Sequence, residues 1–115
     1  MQTSWKTKVH GGVTKCIIPE IDDEYLCISF MELATPVNTC PEVLPITLTV
    51  DDEKSVIATL TPEVHHISLN LKFATQIRLY HRFKDLDVLV CGYFAKKAGY
   101  SPNQKGEYST KQFLS

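Results

Sequence analysis

The chain has 115 residues, the length of one ordinary domain with a single hydrophobic core. Because 43% of its residues are hydrophobic and 22% are charged, the composition excludes a disordered, collagen-like or coiled-coil chain. On the totals, the net charge of −1 excludes both a strongly basic nucleic-acid binder and an acidic tail.

The small net charge conceals a segregation of charge along the chain. Residues 1–19 carry three lysines and no acidic residue, whereas residues 20–63 carry ten carboxylates and one lysine. Residues 64–115 carry eight basic residues against three acidic ones. Such asymmetry favours a charged partner or self-association.

We expect neither a membrane span nor a secreted form. Polar residues break every apolar stretch short of the roughly 18 residues that a bilayer span requires. The N-terminus lacks the apolar segment of a secretory signal. Reduced thiols are favoured over two disulfide bridges, because no CxxC pair occurs among Cys16, Cys27, Cys40 and Cys91.

In the first half of the chain, alternating apolar and polar residues predict β-strands. A short strand is expected at 5–9 and a longer one at 25–33. Segments 46–50 and 56–60 predict a hairpin with an acidic tip, because Asp51-Asp52-Glu53-Lys54 interrupts the alternation.

The second half continues this pattern, with strands expected at 66–73, 75–82 and 86–94. Pro41 and Pro45 bracket a predicted loop. No window has a sustained helical period, so about seven short strands predict an all-β sandwich, jelly roll or barrel. We expect a core domain over residues 1–95, followed by a flexible, basic and polar tail over residues 96–115.

Signals for catalysis or metal binding are weak. His65 and His66 are adjacent on a predicted strand, so their side chains point to opposite faces. Cys91 has no nearby histidine or carboxylate to activate it. We therefore expect no catalytic residue, no metal and no cofactor, although a small deacetylase-like enzyme remains an alternative.

The remaining candidates are surface features. Arg78, Tyr80 and Arg82 alternate on one predicted strand face, which is typical of a polar surface or a subunit contact. Direct nucleic-acid binding is not expected. Two acidic triplets at predicted turns are candidates for binding a basic protein, with solvated loop ends as the alternative: Asp22-Asp23-Glu24 and Asp51-Asp52-Glu53.

Five short segments, which cover roughly Trp5 to Tyr93, jointly resemble one known family. In chain order they are Ser4-Trp5-Lys6-Thr7-Lys8-Val9-His10-Gly11-Gly12, Leu26-Cys27-Ile28-Ser29, the hairpin of Leu48-Thr49-Val50-Asp51-Asp52-Glu53 and Ala58-Thr59-Leu60-Thr61, Ser68-Leu69-Asn70-Leu71-Lys72-Phe73, and Val88-Leu89-Val90-Cys91-Gly92-Tyr93. The family is the nucleoplasmin-like domain. It includes nucleoplasmin-type histone chaperones, the N-terminal domains of nuclear FK506-binding immunophilins and plant-type histone deacetylase-like proteins.

The resemblance implies an eight-stranded jelly-roll sandwich that forms a pentameric ring, in some cases stacked as a decamer. It implies core histones as partners, the acidic triplets as their binding sites, and a nuclear or nucleolar location. A prolyl isomerase or deacetylase activity would lie outside this chain or is not supported by its residues. Candidate residues for the subunit interface are Tyr25, Met31, Leu33, Arg78, Tyr80 and Leu89.

The sequence also departs from the family pattern. Lys6 replaces the glycine that follows the tryptophan, and the loop over 35–43 contains only Glu42 as an acidic residue. No long acidic tract follows Tyr93, where many relatives carry one. A monomeric β-sandwich adaptor that recognises a peptide at an open sheet edge is therefore kept as an alternative.

Overall fold

The computed structural model describes residues 2–19 and 23–97. These residues form eight β-strands and one short 3₁₀ helix at Val37–Thr39. Within these ranges no helix has the length and apolar character needed to cross a membrane. The strands are β1 (Gln2–His10), β2 (Lys15–Ile17), β3 (Glu24–Leu33), β4 (Leu44–Val50), β5 (Glu53–Leu60), β6 (His66–Phe73), β7 (Ile77–Tyr80) and β8 (Asp87–Lys96).

The strands pair into two antiparallel four-stranded sheets. The first sheet has the order β1-β8-β3-β6 and the second has the order β2-β7-β4-β5. Among the described strands, only β4 and β5 are neighbours both in sequence and in a sheet, so every other connection crosses between the sheets. Two antiparallel sheets packed in this way form a β-sandwich. The predicted all-β, eight-stranded fold is confirmed.

Alternate side chains of each strand fill the space between the sheets. In β4, for example, Leu44, Ile46 and Leu48 are buried, whereas Thr47 and Thr49 face outward. The largest fully buried side chains come from both sheets and include Leu26, Ile28, Met31, Leu60, Phe73, Ile77 and Leu79.

Three local features differ from the sequence-based expectation. The pattern does not predict β2, because three residues are too few to show an alternation. β7 ends at Tyr80, so Arg82 does not continue its outward face and instead lies 5.1 Å from the ring of Phe83. Pro45 lies inside β4, where it pairs with Thr59 of β5 and has no partner in β7, so the predicted loop ends before it.

β3 contains a β-bulge at Ser29. The register against β8 shifts there, because Ile28 pairs with Gly92 and Phe30 pairs with the adjacent Cys91. One extra residue reverses the alternation of side chains along a strand. Core-facing residues of β3 are therefore even-numbered before the bulge and odd-numbered after it.

This bulge corrects the interface prediction for Met31 and Leu33. In a regular strand both residues would share a face with Tyr25, because all three are odd-numbered. After the bulge, however, Met31 and Leu33 lie in the core, with exposed fractions of 0% and 7%. They pack within one protomer and offer no surface to a neighbour.

Candidate functional site

Strand directions place two acidic segments at the same end of the sandwich. Thr49, near the end of β4, pairs with Arg78 at the start of β7, and Ile77 pairs with Ile17 at the end of β2. The β4–β5 turn and the β2–β3 connection therefore leave the second sheet at one end, which we call the acidic end. Its described acidic residues are Asp23, Glu24, Asp51, Asp52 and Glu53.

The β4–β5 turn is a two-residue loop made of aspartates. Val50 pairs with Glu53, so only Asp51 and Asp52 lie between the strands, with φ angles of 51° and 66°. Two consecutive positive φ angles define a type I′ turn, a conformation that aspartate tolerates better than most residues. All three acidic side chains are exposed. The predicted hairpin with an acidic tip is confirmed.

The second acidic segment is less accessible. Asp23 is exposed, but Glu24 is half-buried, and its Oε1 atom is enclosed without a hydrogen-bond partner among the described residues. Lysines also lie close by, since Glu24 pairs with Lys96 and the Lys97 N–H donates to the Asp23 carbonyl oxygen at 2.8 Å. Asp22 lies outside the described residues. The hairpin turn is thus the more open concentration of negative charge.

The remaining interface candidates lie on opposite outer faces of the sandwich. Tyr25 and Leu89 project from the outer face of the first sheet, and both are half-buried. Arg78 and Tyr80 project from the outer face of the second sheet, and both are exposed. The structure therefore does not join these four residues into one surface.

The residues weighed for catalysis do not converge. His66 is exposed and its Nδ1 lies 2.7 Å from Glu32 Oε1, whereas His65 is half-buried just before β6. Burial raises the pKa of the Cys91 thiol, which opposes the thiolate that a nucleophile requires. In the described part of the chain, no three His, Cys, Asp or Glu side chains form a group suited to a metal ion.

Two contacts between distant residues escape sequence reasoning. His10 Nδ1 lies 2.6 Å from Asp87 Oδ1, and the His66–Glu32 pair joins β6 to β3. The paired residues are 77 and 34 positions apart in the chain, so no local pattern reports them. Both pairs lie on the outer face of the first sheet, where the histidines contact the carboxylates of Asp87 and Glu32.

Two solved structures have the same architecture. The nucleoplasmin-like N-terminal domain of Drosophila FKBP39 matches with a TM-score of 0.63 and 18% identity, over 88% of this chain and 96% of that one. The crystal structure of the Drosophila NLP core matches with a TM-score of 0.65 and 13% identity, over 82% of this chain and 99% of that one. No protein-family model and no curated protein matches this sequence.

The chain therefore has the nucleoplasmin-like fold, and the resemblance found in its sequence is confirmed at the level of the fold. Both neighbours are covered almost completely, so the similarity extends over the whole sandwich rather than one sheet. The NLP core structure is described as giving insight into pentamer formation and histone binding by that protein.

Proposed function

We propose that this chain is a nucleoplasmin-like, histone-binding domain that assembles with copies of itself and acts in the nucleus in chromatin assembly or regulation. Its partners are core histones and further protomers, in a pentamer or a stacked decamer. The proposal assigns binding to the acidic loops and no catalytic step to the chain.

The placement of the acidic turn carries this proposal. Asp51, Asp52 and Glu53 lie together on an exposed hairpin, at the same end of the sandwich as Asp23. Lysine- and arginine-rich histones are attracted to such clustered negative charge, and a symmetric ring would repeat the cluster around its axis. The fold shared with the NLP core, a protein connected with histone binding, supports the same assignment.

An exposed apolar strip on the outer face of the second sheet supports self-assembly. Thr47 pairs with Tyr80 on one side and Val56 on the other, so these two residues flank it on the same face. Val56 is 58% exposed and Tyr80 is 38% exposed. Large side chains left in water at adjacent positions are typical of a surface that another protein covers.

Neutralising the hairpin tests histone binding. The variant Asp51→Asn/Asp52→Asn/Glu53→Gln keeps side-chain size, and asparagine is favoured in a type I′ turn, so the hairpin should persist. We expect affinity for core histones to fall roughly 3- to 100-fold at moderate salt, which is the combined effect of three exposed ion pairs. Fluorescence anisotropy with labelled histones measures the loss.

The matched control removes three exposed acidic residues from loops at the opposite end: Glu42→Gln/Glu63→Gln/Asp85→Asn. Both variants change the net charge equally, so a difference between them isolates the position of the charge. Equal affinity of both variants for histones would reject the acidic end as the binding site.

The mass of the protein in solution tests self-assembly. We expect about five protomers per particle, or about ten if two rings stack. A stable monomer at micromolar concentration would overturn the ring and would favour the adaptor alternative.

A further inference from the structure

The strand that follows the acidic turn forms an edge of its sheet. In the order β2-β7-β4-β5, β5 pairs with β4 on one side, and no described strand pairs with its other side. Along such an edge, alternate residues direct their backbone N–H and C=O groups away from the neighbouring strand. These groups can pair with an extended segment of another polypeptide.

The first half of β5 is exposed on both of its faces. Ser55 pairs with the core residue Leu48, so its side chain lies on the core-facing side of the strand. Ser55 is nevertheless exposed, like every residue from 53 to 56, whereas Ala58 and Leu60 farther along the strand are buried. The described residues therefore leave this part of the edge uncovered.

Apolar side chains line the side of the sandwich next to this edge. β5 lies across from β6, which is an edge strand of the first sheet. Four residues of these two strands pack against the core but are only partly buried: Ile57, Ile67, Leu69 and Leu71. A strand added to β5 would point alternate side chains toward this side, where apolar residues would complete the burial.

Charge distinguishes β5 from the other edge strands. Residues 50–64, which contain β5 and the residues next to both its ends, carry four carboxylates and one lysine, hence a net charge of −3. By contrast, β1 contains two lysines, β6 contains one, and neither strand contains an acidic residue. β2 has only three residues, one of them a lysine. A basic segment is therefore attracted most strongly to the edge at β5.

We propose that β5 binds an extended basic segment of a histone as an added strand. Backbone hydrogen bonds form along the first half of β5, and lysine or arginine side chains of the segment lie beside Asp51, Asp52 and Glu53. This mode of binding rests on the proposed histone-binding function. It assigns the contact to a flexible histone tail rather than to the folded part of the histone.

Methylation of peptide nitrogens tests the backbone pairing. The probe is a fluorescent peptide from the lysine-rich tail of a core histone, and a second version has N-methyl groups on its central backbone nitrogens. This change removes N–H donors and keeps every charge, so binding measured by anisotropy should weaken at least about tenfold. A control peptide with the same number of methyl groups on lysine side chains keeps its charge and should bind within about twofold of the unmodified peptide.

Amide hydrogen exchange locates the added strand. With saturating unmodified peptide, amides in the first half of β5 that face the free edge should exchange at least about tenfold more slowly, because they then donate hydrogen bonds to the peptide. The edge strands β1 and β6 of the first sheet should exchange at unchanged rates. Protection of β1 or β6 without protection of β5 would overturn the proposal, as would unchanged exchange in all three strands.

Two lysines at opposite edges of the second sheet provide matched variants. Lys54→Gln removes the one cation of β5 and should tighten binding of the unmodified peptide about two- to threefold. Lys15→Gln makes the same change in charge at an exposed position of β2, on the far edge, and should leave the affinity unchanged. Equal gains in both variants would show only long-range attraction and would reject β5 as the binding edge.

The same measurements distinguish strand addition from histone binding as such. Equal affinity of the backbone-methylated and unmodified peptides would reject strand addition and leave histone binding at the acidic end intact. Binding of intact histones without binding of the tail peptide would also reject strand addition, because the contact would then lie in the folded part of the histone. Absence of binding by both would reject the histone-binding function itself.

Discussion

The buried imidazole of His81 connects two distant parts of the fold by donating a hydrogen bond from Nε2 to the backbone carbonyl oxygen of Val9, 3.0 Å away. Its Nδ1 accepts the N–H of Phe83 at 3.3 Å. With one ring nitrogen donating and the other accepting, the ring is in its neutral form. His81 is only 1% exposed, and this burial lowers its pKa below the ordinary value of 6.5.

Acidification should therefore destabilise the protein through His81. Below pH 6.5 the unfolded chain takes up a proton that the folded chain resists, so the free energy of unfolding falls as pH falls, by at most about 1.4 kcal/mol per pH unit. The loss ends at the pKa of the folded state. Nearby Asp87 and His10 act on this pKa in opposite directions, with Asp87 raising it and His10 lowering it. Urea titrations between pH 5 and 8 measure the slope.

The variant His81→Gln isolates this contribution. It should cost about 1–3 kcal/mol at neutral pH through the disturbed hydrogen bonds, and it should flatten the slope below pH 6.5. His66→Gln, on the exposed face, serves as the control. An unchanged slope in His81→Gln would assign the acid sensitivity to other groups.

The aspartate turn should be open to stabilisation. Replacing Asp51-Asp52 by Asn-Gly supplies the sequence that type I′ turns prefer and removes two adjacent like charges. We expect a gain of about 1 kcal/mol, seen as a higher urea midpoint with an unchanged denaturant slope. Asp85→Asn, in a loop at the other end, should have little effect. A lower midpoint for the Asn-Gly variant would show that the aspartate side chains hold the turn.

The bulge in β3 predicts unequal effects of two substitutions. Met31→Ala should cost about 2–5 kcal/mol, because Met31 is fully buried in the core. Leu89→Ala, on the half-buried outer face of the adjacent strand, should cost about 1 kcal/mol or less in the monomer. Equal costs in equilibrium unfolding would contradict the reversed alternation beyond Ser29.

Thiol alkylation should distinguish the four unpaired cysteines. Cys16 is exposed on β2, whereas burial raises the pKa of Cys27, Cys40 and Cys91. At pH 8 iodoacetamide should modify Cys16 at least about tenfold faster than the others, because the thiolate is the reacting species. Intact-mass spectra over time give the rates, and Cys16→Ser should remove the fast phase. Rapid labelling of Cys27 would contradict its burial.

Much of the fold follows from residue alternation, because strands that cover a core on one side show it in their sequence. β6 is the clearest case, with Ile67 and Leu69 packed toward the core and Ser68 and Asn70 exposed. The acidic hairpin was equally predictable, since charged residues interrupt two apolar alternations at one point.

The features that sequence reasoning could not supply depend on contacts between distant residues. The bulge at Ser29 is defined by the register against β8, so it is invisible in β3 alone, and the assignment of Met31 to a surface was wrong for that reason. The meeting of two acidic segments at one end depends on the direction of β2 and β4. His81 was not singled out, because a lone histidine carries no sign of its burial.

The single hairpin among the described strands also has a consequence for how the chain folds. β4 and β5 can pair as soon as a two-residue loop closes, whereas every other pairing in these residues must first close a longer stretch of chain. We therefore expect slow folding in which this hairpin forms early, with higher φ-values for substitutions in β4 and β5 than in β1. The hairpin that forms early in folding would then also carry the acidic turn that attracts basic partners. Substitutions in this hairpin would therefore change both the folding rate and the affinity for basic partners.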